Sequence, residues 1–389
     1  MNIEFYNCPL PAQFDTKILP TQKPAFIGYE PDFAAMEKIA KEYAHYANIL
    51  VIGHGGSVTS GQAFYNALRQ QTNKKAYFLN SIDPDYIAEL KTDLVPENTV
   101  VVAISKSGRD TTQLEMTSQF FGYPMVVVTM AGSSLEEVAH KLQLPILRHP
   151  EIGGRYTAFT EVALLPALLS GIDIAGLLRG AAEVYALYEK ENLAWKSASV
   201  AWQLEGQGFV DMLGLIYSHY LFSAANLATQ LCHESFGKED KGQTYMFAEG
   251  SEVQHHTVQR LLGGRKNMAA WFMGLHTFES NLVSSYPVPV HSVPFREHAL
   301  FDLNGIPLAQ AQNFELHATL ESAQLARIPC MYLELNGLEP VEFGRFIAFW
   351  QLYAVYSSLL RQVDPFDQPA VETGKQISFN KRLAYKGLL

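Results

Sequence analysis

Short, continuous apolar runs alternate with helical patterns through the first third of the chain. The runs are rich in β-branched residues and comprise ILVIG (49–53), KAYFL (75–79), TVVVAIS (99–105) and PMVVVTM (124–130). Strands that are apolar on both faces are typical of a parallel sheet with helices on both sides. The helical patterns between them lie near 57–70, 84–91, 110–121 and 133–141. This order predicts an α/β layer fold.

A second alternation of the same kind begins after a segment with helical patterns only. Its predicted strands are 209–218, 244–250, 267–276 and 328–335, and its predicted helices are 220–236, 252–262, 306–325 and 343–362. A chain of 389 residues has the length of about two domains. We therefore predict a first α/β domain with the N-terminal segment at 1–155, a helical connection at 156–206, a second α/β domain at 207–365 and a C-terminal helix at 366–389.

The composition and the net charge of the chain limit the kinds of molecule that it is expected to bind. With 48% hydrophobic and 17% charged residues, the chain has the composition of a well-buried globular protein. A formal net charge of −10 argues against nucleic acid or an anionic membrane surface as partner. An anion must therefore be bound by local groups. The three cysteines form no CxxC pair, so we expect neither a disulfide framework nor a cysteine zinc site.

Two segments bear on the cellular location. The N-terminus, MNIEFYNCPLPAQF, lacks the basic and apolar regions of a secretory signal. The most apolar stretch, 343–360, carries Arg345 and Gln351, which suits a buried helix better than a membrane span. We expect a cytoplasmic protein that does not enter a membrane.

The glycine-rich stretch GHGGS, residues 53–57, lies between the first predicted strand of this series and its helix. A dinucleotide fingerprint would require glycine at position 58, and a P-loop would require lysine at position 59; these positions hold Val58 and Thr59. The turn is still suited to one small anion, held by backbone N–H groups of Gly56 and its neighbours and by the Ser57 hydroxyl. A tight strand–helix turn without a ligand is the alternative.

A second hydroxyl-rich turn, SKSGRDTTQ, follows the third predicted strand. It supplies four hydroxyls, those of Ser105, Ser107, Thr111 and Thr112. Because the carboxyl ends of parallel strands meet at one edge of a sheet, both turns are expected to face one pocket. Helix capping is the alternative role, but four hydroxyls exceed what one cap requires. With no P-loop lysine nearby, we predict a monophosphate site that serves binding and not phosphoryl transfer.

Candidates for chemistry occur in two further motifs. Arg155 follows two glycines in EIGGRYTAFTE, where it either points into a cleft or lies on a surface loop. Gln230 and Glu234 are four residues apart and share a helix face, and Gly237 is placed to end that helix. Glu234 would then lie against the negative end of the helix dipole, an arrangement useful in a base.

Histidine and lysine supply the remaining candidates. His255 and His256 are neighbours near a predicted helix start, where they cannot readily ligate one metal, so one catalytic and one incidental histidine is the favoured interpretation. Gln368 and Lys375 are seven residues apart, which is two turns along one face of the predicted helix. The alternative for Lys375 is an ordinary surface salt bridge with Glu372.

In chain order, these motifs resemble the phosphoglucose isomerase (glucose-6-phosphate isomerase) family. The resemblance covers residues 49–380 and rests on GHGGS, SKSG with TTQ, IGGRYTAFTEVALLPALLSGID, ESFGK, QHH and PFDQPAVETGK. It implies two sugar-isomerase (SIS) domains, each a three-layer α/β/α unit with a central, mainly parallel sheet. It also implies reversible isomerisation of glucose 6-phosphate and fructose 6-phosphate through ring opening and a cis-enediol(ate), in glycolysis and gluconeogenesis, without a metal or organic cofactor.

The resemblance assigns roles to individual residues. Glu234 would be the base, Arg155 would stabilise the enediolate, and His255 and Lys375 would serve ring opening. Binding of the sugar phosphate would fall to Gly56, Ser57, Ser105, Ser107, Thr111 or Thr112, with Gln230 and Gln368 placing the sugar. In this family the histidine enters from the neighbouring subunit, which implies a homodimer with a shared active site.

Three departures from the family pattern leave alternatives open. SKSGRDTTQ is one residue longer than the usual SKSGTTTE, so either Thr111 or Thr112 meets the phosphate. His54 stands where an aliphatic residue is common, and Ala370 where glycine is usual. The alternative functions are a bifunctional phosphoglucose/phosphomannose isomerase and a non-catalytic sugar-phosphate-binding SIS protein. No role follows for His256.

Overall fold

Two five-stranded sheets form the framework of the protein, which a computed structural model describes over residues 1–389. The strands are β1 Asn2–Tyr6, β2 Asn48–Ile52, β3 Lys75–Leu79, β4 Thr99–Ser105, β5 Met125–Thr129, β6 Ile146–Arg148, β7 Asp211–Ile216, β8 Thr244–Glu249, β9 Met268–Leu275, β10 Pro294–Phe295, β11 His298–Ala299 and β12 Cys330–Leu335. The helices are α1 Phe33–Glu42, α2 Gly56–Leu68, α3 Pro84–Asp93, α4 Thr111–Ser118, α5 Ser134–Lys141, α6 Glu161–Leu169, α7 Ile174–Tyr185, α8 Leu193–Gly206, α9 Ala225–Phe236, α10 Thr257–Gly263, α11 Leu308–Leu325, α12 Pro340–Arg361 and α13 Glu372–Tyr385.

The first sheet is parallel throughout, with strand order β3-β2-β4-β5-β6. Successive residues of β2 enter different cores. Ile49 and Val51 pack with α1, α2 and α6, whereas Leu50 and Ile52 pack with α3, α4 and α5. The continuous apolar runs are thus explained by helices on both faces, and the predicted α/β layer fold is confirmed.

The second sheet has the order β1-β12-β9-β7-β8, and all its pairings are parallel except that of β1. Strand β1 runs antiparallel to β12, with Ile3 opposite Leu333. The assignment of the N-terminal segment to the first domain is therefore wrong at this strand. One five-residue strand carries no signal for its sheet, because the partner strand lies more than three hundred residues away in the chain.

A helical layer joins the two sheets into one apolar core. Helix α12, whose residues are almost all buried, packs against α7 and α8, which belong to the predicted connection 156–206. One hydrophobic cluster includes Val51 of the first sheet, Trp271 of the second and Trp350 of α12. The connection is thus part of the core, while the domain limits at 155, 206 and 365 stay a prediction.

The C-terminal segment begins differently from its prediction. A 3₁₀ turn at Pro369–Val371 precedes α13, which begins only at Glu372. Gln368 therefore lies before the helix and shares no helix face with Lys375, because Pro369 breaks the helical pattern ahead of the turn. None of the helices combines the length and the apolar character needed to cross a membrane.

Candidate active site

A polar cleft of about 1190 Å³ opens beyond the carboxyl ends of β2 and β4. Its other walls come from the loop before α6, from α9 and from α13. Only four of its 27 lining residues are hydrophobic, which favours a polar ligand. Every predicted site residue except His255 lines it: Gly56, Ser57, Ser105, Ser107, Thr111, Thr112, Arg155, Gln230, Glu234, Gln368 and Lys375.

The GHGGS turn is pressed directly against the loop that carries Arg155. A Cβ atom on Gly56 would lie 1.9 Å from the carbonyl carbon of Gly154, a separation that no side chain can accommodate. Gly55 adopts φ 50°, a left-handed conformation that favours glycine. No side chain caps α2, so the positive end of this helix is directed at the cleft and is available to an anion.

The SKSGRDTTQ turn closes the same end of the cleft. The Ser105 hydroxyl accepts a hydrogen bond from the Gly108 N–H at 3.2 Å, and the Ser107 hydroxyl accepts one from the Arg109 N–H at 3.3 Å. Capping does not explain the hydroxyls at the start of α4, because Asp110 is the cap and accepts from the Gln113 N–H at 2.8 Å. Two hydroxyl-rich turns therefore converge, as predicted.

Arg155 lines the cleft beside the GHGGS turn. Its side chain is 1% exposed, so the alternative of a surface arginine is wrong. Its Nη1 atom lies 2.7 Å from Gln368 Oε1 and 3.2 Å from Glu234 Oε2. The remaining N–H groups donate to Ser235 Oγ and to the backbone carbonyls of Pro365 and Asp367. The guanidinium charge is thus held in one orientation by neighbours on all sides.

Two neutral side chains, Tyr156 and Ser235, lie next to the Arg155 guanidinium. The Tyr156 hydroxyl lies 2.9 Å from Ser235 Oγ, and burial raises the pKa of Tyr156 to about 12. Because the phenol stays neutral at pH 7, it adds no negative charge behind the guanidinium. The charge of Arg155 is therefore directed toward the cleft.

Glu234 lies where the motif predicted, in the last turn of α9, which ends at Phe236 with Gly237 as its cap. Its side chain is 34% exposed. One carboxylate oxygen accepts from Gln230 Nε2 at 3.0 Å, and Gln230 Oε1 in turn accepts from the Thr59 hydroxyl at 2.9 Å. Arg155 and Gln230 thus orient a carboxylate that still faces the cleft.

Helix α13 supplies Lys375 from a much more exposed position. Lys375 Nζ donates to Glu372 Oε1 at 2.7 Å, so the alternative surface ion pair is present in this chain. No residue of α13 is buried. Arg382 connects the helix to α4 through hydrogen bonds of 2.7 Å to both carboxylate oxygens of Glu115.

His255 lies outside the cleft of its own chain. It is exposed at the end of a 3₁₀ turn, Glu252–His255, that follows β8. The neighbouring His256 is tied to its own turn, with Nε2 2.6 Å from Glu252 Oε2 and Nδ1 2.5 Å from Thr257 Oγ1. The two histidines thus differ in their bonding: His256 is held by side chains of its own turn, whereas His255 is not.

Several charged side chains of the cleft were missed as site residues. They are His54, Lys106, Arg109, Asp110 and Arg382. Their positions within GHGGS and SKSGRD were a usable signal for the first four, whereas Arg382 depends on where α13 packs. No group of three or more His, Cys, Asp or Glu side chains is arranged so that it could hold a metal ion.

The chain is similar to known proteins in both sequence and fold. No protein-family model matches the chain. It is 27% identical to the glucose-6-phosphate isomerase of Carboxydothermus hydrogenoformans, over 90% of this chain and 82% of that protein. It is 28% identical to the glucose-6-phosphate isomerase of Listeria monocytogenes, over 90% of this chain and 83% of that protein. A glucose-6-phosphate isomerase structure from Chlamydia trachomatis shares the fold, with a TM-score of 0.74, 22% identity and coverage of 95% of this chain and 77% of that one.

The two mainly parallel sheets make this an α/β protein, with the fold of the Chlamydia trachomatis glucose-6-phosphate isomerase structure. In sequence, the chain is similar to glucose-6-phosphate isomerases along most of its length.

Proposed function

We propose that this protein interconverts glucose 6-phosphate and fructose 6-phosphate. The observation that carries the proposal is the pairing of a cleft-facing carboxylate, Glu234, with a buried guanidinium, Arg155, 3.2 Å apart. The uncapped start of α2 faces the same cleft and suits an anion. The names of the curated relatives support the same aldose–ketose isomerisation.

The substrate phosphate binds at the two hydroxyl-rich turns. Backbone N–H groups around Gly56 and the hydroxyls of Ser57, Ser105 and Ser107 hold it, together with a threonine of the first turn of α4. This phosphate does not react. Its binding energy positions the distant C1 and C2 atoms of the open-chain sugar, which is how remote contacts raise the rate of a chemical step.

Proton transfer takes place at Glu234 and Arg155. Glu234 removes the proton from C2 or C1 and returns it to the other carbon, while Arg155 stabilises the negative oxygen of the enediolate. A positioned carboxylate base accounts for about 10²–10⁴-fold in rate. A fixed donor at a developing oxyanion accounts for about 10²–10³-fold. Gln230 and Gln368, which bond to these two residues, place the sugar.

Ring opening requires a proton donor and acceptor at the sugar ring, and Lys375 with His255 supplies them. Since His255 is exposed and absent from the cleft of its own chain, it acts in the cleft of a second copy. The working form is therefore a homodimer with a shared active site. We place this enzyme in the cytoplasm, where its sugar-phosphate substrates occur.

The test is turnover of fructose 6-phosphate by the chelator-treated protein, coupled to glucose-6-phosphate dehydrogenase. In Glu234→Gln the amide cannot accept the transferred proton, and kcat should fall by about 10²–10⁴-fold while inorganic phosphate still binds. Glu137→Gln is the matched control, because Glu137 is 70% exposed on α5, away from the cleft.

Each outcome separates the alternatives. Near-normal turnover by Glu234→Gln would remove that residue as the base. Comparable turnover of mannose 6-phosphate by the unaltered protein would favour the bifunctional isomerase. Binding of fructose 6-phosphate without any turnover would favour a sugar-phosphate sensor.

A further inference from the structure

His54 bridges the two turns at the phosphate end of the cleft. It lies between β2 and α2, inside GHGGS, and its side chain is 34% exposed. Its Nε2 atom lies 2.9 Å from the Thr112 hydroxyl and 3.8 Å from Asp110 Oδ1, both at the start of α4. The imidazole therefore lies between the N-terminal ends of two helices, the position that an anion would occupy.

The direction of these hydrogen bonds follows from the donors available. Asp110 Oδ1 accepts from the Gln113 N–H and from the Thr112 hydroxyl, each at 2.8 Å. A hydroxyl has one hydrogen, so the Thr112 oxygen must accept from His54 Nε2–H. The other ring nitrogen, Nδ1, makes no hydrogen bond within the chain, and neither does the hydroxyl of Thr111.

Resting on the proposed function, we infer that His54 is a further phosphate-binding residue and that Thr111, not Thr112, is the threonine of α4 that contacts the phosphate. His54 donates from Nδ1–H to the phosphate while Nε2–H stays on Thr112. Thr112 supports the imidazole and does not itself meet the phosphate, which assigns the phosphate contact to Thr111.

A purely structural bridge is the competing role for His54, and amide substitutions separate the two. Glutamine extends to the place of Nε2 and keeps the bond to Thr112, but it offers no donor at the place of Nδ1. Asparagine places its amide at the position of Nδ1, so it can donate to the phosphate, but it does not reach Thr112. A structural bridge thus tolerates His54→Gln, whereas a phosphate ligand tolerates His54→Asn better.

The experiment measures inorganic phosphate and fructose 6-phosphate binding by calorimetry, with kcat and KM for turnover. His54→Gln and Thr111→Val should each weaken both ligands and raise KM by roughly ten- to hundredfold, the size expected for a hydrogen bond to a charged group. Their kcat should change much less. His54→Asn should retain most of the affinity. His140→Leu, at a 67% exposed histidine of α5, is the control and should match the unaltered protein.

Wild-type phosphate affinity in His54→Gln would overturn the role of His54, and wild-type affinity in Thr111→Val would overturn that of Thr111. Unfolding midpoints show whether His54→Gln or Thr111→Val fails to fold. If one of them does, the phosphate affinity of the other variant tests the inference. If the unaltered protein binds phosphate but never turns over the sugar, the proposed function fails while the binding results still decide this inference.

Discussion

The two walls that face each other across the cleft are built in opposite ways. Arg155 is buried and donates to side chains and backbone carbonyls on all sides. Gly56 lies so close to Gly154 that not even a methyl group fits between them. Helix α13, on the other wall, has no buried residue and is tied to α4 by the ion pair of Arg382 and Glu115.

This difference matches the tasks proposed for the two walls. Charge that develops during a reaction is best stabilised by groups that need no rearrangement, and the wall with Arg155 meets that condition. An exposed helix with few buried apolar groups opens at low free-energy cost, so α13 is suited to letting a sugar phosphate in and out. One cleft thus combines a rigid wall, which carries Arg155 and suits the proposed proton transfer, with an exposed helix, α13, which suits the proposed entry and exit of the substrate.

The largest effect is expected from a change in the fixed wall, Arg155→Lys. Lysine keeps the charge but cannot reproduce the planar fork that bonds Gln368 and the backbone carbonyls. We expect kcat for fructose 6-phosphate to fall by about 10²–10³-fold. Arg361→Lys is the matched control, because Arg361 is equally buried and bonded but lies outside the cleft. Arg361→Lys should lose stability and keep kcat; equal losses of kcat in both variants would contradict the role of Arg155.

A pair of glycine substitutions compares the rigidity of the walls. Gly56→Ala forces a methyl group onto the backbone of Gly154, and we expect the free energy of unfolding to fall by about 1–3 kcal/mol. Gly374→Ala, in α13, meets no atom within 4 Å and should raise the helix stability by up to about 1 kcal/mol. Urea unfolding measures both changes, and equal losses at the two positions would break the comparison.

The smallest effect is expected from Arg382→Gln, which removes the ion pair that ties α13 to α4. Partly exposed pairs contribute about 0–1 kcal/mol, so global unfolding should change little. Amide hydrogen exchange in α13 should nevertheless become faster, and added salt should have the same effect on the unaltered protein. Lys381→Gln removes the same charge one residue earlier, from a side chain without an ion pair, and should leave the exchange of α13 unchanged. Unchanged exchange in Arg382→Gln would show that other contacts hold the helix.

The long, buried elements were predictable from the sequence. Strands β3 and β4 have the predicted limits, and α12 begins at Pro340, three residues before its predicted start, since proline is favoured at the first helical turn. The short strands β1 and β6 and the hairpin β10–β11 were missed. Segments of two to five residues carry too little periodicity, and the partner strand of β1 is also distant in the chain.

The candidate site also has features that were predictable from the sequence and features that were not. Local motifs were sufficient to identify the glycine turns, Glu234 and Arg155, because tight turns and helix ends require particular residues close together in sequence. Local motifs did not reveal that Arg155 is buried, nor that Gln368 lies outside the helix and reaches that arginine. Those facts depend on segments that meet only after folding.

For this protein, the sequence by itself determined the class of fold and the two hydroxyl-rich turns at which we propose that a phosphate binds. Hydrophobic periodicity and turn chemistry are local properties, and they can be read along the chain. Only the tertiary structure decided that β1 joins the second sheet, that His54 bridges Thr112 and Asp110, and that His255 does not line the cleft of its own chain. These relations depend on how helices and strands pack across the whole chain, which no local pattern encodes.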